Sequence, residues 1–198
     1  AKELAYAWME DPNDFPRGVR SVFASSQSEV FRSIDMLHAF PENETPLPGG
    51  RRPSQNDVFV LAESMGNLVS ITVEGKASEP FDKVVSEWKD PPSPGKQVRL
   101  QYLCDCLGLG PADVGSIRYQ FLHRTASALI EAGKFGAPCA LMMVHSFSQA
   151  NEWFDDFGQF AALFGARAEV DSIVYAPRQR TARSRFTEIG LYLGWVRG

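Results

Sequence analysis

The chain has 198 residues, of which 44% are hydrophobic and 22% charged. That suits one globular domain with a substantial core and leaves no sign of low-complexity disorder. A net charge of −4 argues against a protein that coats nucleic acid non-specifically, because phosphate contacts draw on Lys and Arg. No apolar run reaches the roughly 18 residues of a membrane helix, and no basic-then-apolar leader opens the chain; the expectation is a cytoplasmic protein with no membrane partner.

Residues 2–9 read as a short helix that stops near Asp11-Pro12. Residues 19–39 read as helical, with Val30, Ile34 and Leu37 at helical spacing and a break around Ser25-Ser26 as the alternative. Pro41 ends that stretch, and Pro46, Pro48, Gly49, Gly50 and Pro53 make residues 41–55 a loop. DVFVLAE (57–63) and LVSITVEGK (68–76) are rich in β-branched and aromatic residues, and a short link with Gly66-Asn67 joins them as a hairpin. Residues 79–89 suggest a helix with Pro80 in its first turn, broken by DPPSPG at 90–95. A further helix covers 98–109 and ends near Gly108.

Residues 116–133 form the strongest amphipathic pattern, with Ser116 or Asp113 near its start as N-cap. After the turn Gly136-Ala137-Pro138, the apolar run 139–147 suits a strand buried on both faces. Residues 149–164 give a helix with Trp153, Phe157, Phe160 and Phe164 on one side; core packing is the simpler role for it and a homodimer contact the alternative. Strands near 170–175 and 187–196 flank an arginine-rich loop at 177–185. This order predicts an α/β (α+β) fold over 1–198, a central mixed β-sheet with helices on both sides. Cys104, Cys106 and Cys139 are odd in number and lack a second close pair, so they read as reduced packing thiols.

The hairpin carries the chemistry. Pairing across a turn at 65–66 sets Asp57 opposite Glu74, and Glu74 and Lys76, two apart, share a face. Two close carboxylates repel unless a cation intervenes. Mg²⁺, held by one or two carboxylates plus water and phosphate, is such a cation. The plain alternative is a solvated ion pair at a hairpin end.

Asp57 followed by Glu74-Gly75-Lys76, in this hairpin setting, resembles the signature of the PD-(D/E)xK nuclease superfamily. Asn56 stands where that signature has proline. The resemblance covers roughly 20–147, with a helical insertion at about 77–115, and leaves 148–198 as a C-terminal helix and strands. It implies a restriction-endonuclease-like core, Asp57 and Glu74 as ligands of Mg²⁺ or Mn²⁺, Lys76 as support for the nucleophile, and DNA before RNA as partner. It further implies that Glu29 on the early helix could add an acid, and that the helix 116–133 flanks the site with a glutamine at hand. Gln120, His123, Arg124, Ser127 and Glu131 share one arc of that helix, whereas Arg118 falls among apolar residues and needs a partner. Gln120, Arg124 and Arg118 are therefore substrate-binding candidates, along with Arg178 and Arg180 of the cationic loop. A solvated face and a loop that balances nearby acids are the plainer readings. His145 reads as a hydrogen-bonded structural histidine, and no P-loop, GxGxxG or GxSxG is present.

Overall fold

The computed structural model describes residues 2–180, 183 and 185–198. In chain order the elements are α1 (Lys2–Met9), α2 (Arg17–Ser25), α3 (Glu29–Arg32), β1 (Ile34–Thr45), β2 (Ser54–Ser64), β3 (Asn67–Lys76), α4 (Val85–Trp88), α5 (Pro94–Leu107), α6 (Tyr119–Phe135), β4 (Cys139–Ser146), α7 (Phe154–Ala162), β5 (Ser172–Tyr175) and β6 (Gly190–Arg197). The six strands form one mixed sheet in the order β1-β2-β3-β4-β6-β5. β3, β4 and β6 run parallel, and β1, β2 and β5 attach antiparallel.

The parallel centre explains the apolar run 139–147. Every residue of β4 is buried, because helices cover both faces of the sheet. One core packs the sheet against α5, α6 and α7 through Leu103, Leu122, Phe121, Phe160 and Trp195. The other packs it against α1, α2 and α3 through Leu4, Trp8, Phe23 and Phe31.

The β2–β3 hairpin turns on Met65 and Gly66, both at positive φ, as a two-residue turn requires. Its register runs from Ser64 opposite Asn67 to Val58 opposite Val73. Continued one step further, that ladder reaches Asp57 and Glu74.

Three elements differ from the expectations. The stretch 19–39 is not one helix: it breaks after Ser25 and turns briefly at Glu29–Arg32, and Ile34–Thr45 is a twelve-residue edge strand rather than helix end and loop. An edge strand bonds to one neighbour only, so Pro41 costs it no ladder donor, and its largely exposed residues leave no clean alternation. The helix expected over 79–89 is a single turn, Val85–Trp88, because Val84 bridges Arg118, the Val85 N–H donates to the Ile117 carbonyl and the Tyr119 N–H to the Lys83 carbonyl. The same bridge places Arg118, not Ser116 or Asp113, at the N-cap of α6, without a side-chain cap.

Candidate functional site

β3 and α6 build the site between them. Ser70, Thr72, Glu74 and Lys76 alternate along β3 and so face the same side. The Ser70 hydroxyl donates to the Ala128 carbonyl at 2.8 Å and the Thr72 hydroxyl to the Arg124 carbonyl at 3.1 Å. These bonds set the height of α6 on the strand. Gln120 and Arg124, one helical turn apart, then meet Glu74. The Gln120 amide donates to Glu74 Oε1 at 2.6 Å, and Arg124 Nε donates to Oε2 at 2.6 Å. Lys76 Nζ lies 3.0 Å from Oε1. Glu74 is 4% exposed and Lys76 6%, so this charge cluster sits inside the protein.

Asp57 approaches from the neighbouring strand. Beyond Val58 and Val73 the ladder ends, and Asp57 Oδ2 accepts the Gly75 N–H at 2.8 Å. The carboxylate thus grips the residue that separates Glu74 from Lys76. Asp57 is half-buried, and its carboxyl is pushed up to about 6, first by burial and then by the negative charge of Glu74. Gly75 is small for a packing reason: a Cβ there would lie 2.7 Å from the Leu4 side chain of α1.

The insertion closes the other side. Phe81, itself buried, lies under the Lys76 ammonium, with Nζ 4.8 Å from the ring centroid. The Asp82 N–H donates to Gln120 Oε1 at 3.2 Å. Behind Glu74, Arg124 Nη1 lies 3.4 Å from Ser54 Oγ, and Ser54 shares a hydrogen bond with His123 Nδ1 at 2.8 Å. Burial, followed by the charges of Arg124 and Arg99, holds His123 well below the ordinary histidine value, so it is neutral. Ser54 and Phe81 carried no signal in the sequence, since their roles depend on how β2 and the insertion fold onto α6.

The structure brings together Asp57, Glu74, Lys76, Gln120 and Arg124, keeps Arg118 at the rim, where its Nη1 donates to the Asp82 carbonyl at 3.4 Å, and sets the remaining candidates elsewhere. Glu29 is exposed at the start of α3, just before Ile34, which pairs with Ser64 at the far end of β2 from Asp57. The break in the early helix carries it away. Arg118 pairs with Asp156 of α7 at 2.7 Å, which answers its need for a partner without a phosphate. Arg178 donates to the carbonyls of Cys106, Arg185, Phe186 and Ile189, so it is a structural staple rather than a clamp. Arg180 pairs with Glu188 at 3.3 Å on the surface. Phe186, at the end of this loop, packs beside Gly133 near the C-terminus of α6, whereas Glu74 lies at the N-terminal part of that helix.

His145, at the end of β4, accepts the Trp8 indole N–H at 3.2 Å and is pushed down to about 4 by burial, in keeping with a structural role. Cys104, Cys106 and Cys139 are buried free thiols, and burial pushes each up to about 12. No described helix is long and apolar enough to cross a membrane.

Fold and site together define a mixed-sheet α/β protein with an Asp/Glu/Lys cluster at the end of its central hairpin. The chain belongs to the family described as domain of unknown function DUF6946, which it matches over residues 1–198. Comparisons with curated proteins and with solved structures returned no match.

Proposed function

We propose that this protein is a nuclease-type phosphodiesterase that works on DNA or RNA with Mg²⁺ or Mn²⁺. The observation that carries the reading is the grip of Asp57 on Gly75, between Glu74 and Lys76, at the point where β2 and β3 part. The resemblance of these residues to the PD-(D/E)xK signature, and their setting in a hairpin followed by a helix and a parallel strand, support it.

Carboxylate oxygens are the ligand type a hard divalent cation takes. Among the described residues no group of three or more His, Cys, Asp and Glu side chains converges, and Gln120, Lys76 and Arg124 already meet the Glu74 oxygens. An ion would therefore rest on Asp57 and displace one of those partners from Glu74, with water and phosphate oxygens completing it. Asp57 resists ionisation beside Glu74, and a cation there relieves that repulsion. When bound, the ion would acidify a water and offset charge that grows on a phosphoryl oxygen. The chain's own part is positional. Lys76 brings an ammonium to the carboxylates, where it can orient a nucleophile or neutralise the transition state. Gln120 and Arg124 fix the Glu74 carboxylate from α6 with one charge-assisted and one amide hydrogen bond.

A second reading rests on Phe81. Its ring and the Asp82–Gln120 bond cover Lys76 and Glu74 with residues of the insertion, which suits a binding module that keeps a nuclease-like fold without turnover. Cleavage of single- and double-stranded DNA and RNA in Mg²⁺ or Mn²⁺ separates the two. The first reading expects metal-dependent cleavage and a loss of about 100-fold or more in Lys76→Ala, the range for removal of one preorganised donor. Cleavage that is unchanged in that variant removes the mechanism; retained binding without any cleavage favours the module.

A further inference from the structure

A cavity of about 290 Å³ opens beside Asp57, on the α1 side of the sheet. From α1 it is lined by Leu4, Ala5, Trp8 and Met9, and from the strands by Ala39, Pro41 and Val58. Two carboxylates, Asp57 and Glu42, share its wall. Drug-sized ligands occupy roughly 300–1,000 Å³, so this space suits one small ring system. Its mostly apolar lining, with one indole and two acceptor groups, favours a flat heteroaromatic ring with N–H donors at its edge. Carboxylates recognise the exocyclic amino group of a base in that way.

The cavity and the charge cluster meet at one residue. Asp57 lines the cavity and also holds Gly75, and on the α6 side Glu74 is closed in by Gln120, Arg124 and Phe81-capped Lys76. We infer that the cavity takes one unstacked nucleobase bearing an amino group, such as cytosine or adenine, with Asp57 and Glu42 as acceptors for that group. This rests on the phosphodiesterase reading and adds a substrate class: strands that can present a base out of its stack, single-stranded before duplex.

Free nucleosides test the cavity apart from any cleavage. Cytidine, adenosine and uridine are titrated into the full chain by two-dimensional NMR, with the Trp8 indole N–H as reporter. Ala39→Leu fills the cavity from β1, and Ala5→Phe, at an exposed position, plugs it from α1. Saturable binding of cytidine and adenosine, weaker for uridine and reduced about 5- to 100-fold in both variants, is the expected result. Absence of binding, equal binding of uridine, or unchanged affinity in folded variants overturns the inference. Metal-dependent cleavage with no nucleoside bound leaves the hydrolase and removes the cavity, whereas bound cytidine with no cleavage by wild type leaves the cavity and removes the hydrolase.

Discussion

Two polar centres sit at opposite ends of the α6 layer and are built from different partners. At one end the Glu74 carboxylate collects Gln120, Arg124 and Lys76, all side chains. At the other, the Arg178 guanidinium collects four backbone carbonyls, from Cys106, Arg185, Phe186 and Ile189. Carbonyls in a folded chain cannot leave, so Arg178 is committed to closing its loop. Side-chain donors can rotate away, so the Glu74 centre can trade an internal partner for a ligand. A cluster of arginines in the sequence is therefore a weaker sign of ligand binding than one carboxylate whose partners are all side chains.

Truncation sharpens this contrast, and Glu74 gives the largest effect. Glu74→Ala leaves Lys76 and Arg124 with buried charge and without the carboxylate they both bond, a situation that costs about 3–5 kcal/mol. Arg178→Ala removes a donor from carbonyls that partly regain water, and about 1–3 kcal/mol is expected. Urea unfolding of both variants measures the two values. A Glu74→Ala protein as stable as wild type would mean that the cluster is open to water in solution, and the contrast would fail.

Asp57 comes next, through its response to pH. Its folded carboxyl is pushed up to about 6, chiefly by burial and then by Glu74, from an ordinary value of 3.8. The folded protein therefore holds this proton more tightly than the unfolded chain. The group's contribution is full below the unfolded value and is lost as pH rises from about 4 to about 6. Asp57→Asn keeps an acceptor for the Gly75 N–H and removes the titration. It should exceed wild type in stability at pH 7.5 by about 1–2 kcal/mol, once partial exposure is discounted. At pH 4 the two should converge. Mg²⁺ at millimolar concentration should raise the wild-type melting temperature at pH 7.5 and leave Asp57→Asn unmoved, because only a ligand bound to the folded state stabilises it. Parallel stability profiles across pH 4–7 would remove the electrostatic account of this position.

The cluster was legible because its geometry is local. Met65-Gly66 fixes the hairpin register, that register carries Asp57 toward Glu74, and a two-residue step puts Lys76 on the face of Glu74. Gln120 and Arg124 followed from the helical repeat of α6, and the buried β4 from its unbroken apolar run. β1 was hidden because an edge strand needs few apolar residues and tolerates Pro41; its Leu37 is 52% exposed, so the helical spacing of Val30, Ile34 and Leu37 marked no face. The length of the helix expected over 79–89 was misread because the Val84–Arg118 bridge joins segments far apart in sequence. Arg118 needed a partner, as its apolar surroundings indicated, but nothing local pointed to Asp156 of α7.

The smallest effect belongs to Arg180. Its side chain is 69% exposed and that of its partner Glu188 82%, and the two meet at 3.3 Å. A pair so open gains little Coulomb energy in water and costs side-chain freedom, so Arg180→Ala should change stability by less than about 0.5 kcal/mol. It should also leave any metal-dependent cleavage within about twofold of wild type, because Phe186, six residues on, packs beside Gly133 in the C-terminal part of α6, away from Glu74. A large loss of cleavage with unchanged stability would show that this loop reaches the substrate after all. The cationic stretch would then regain the phosphate-gripping role that Arg178, bonded to its four carbonyls, does not fill.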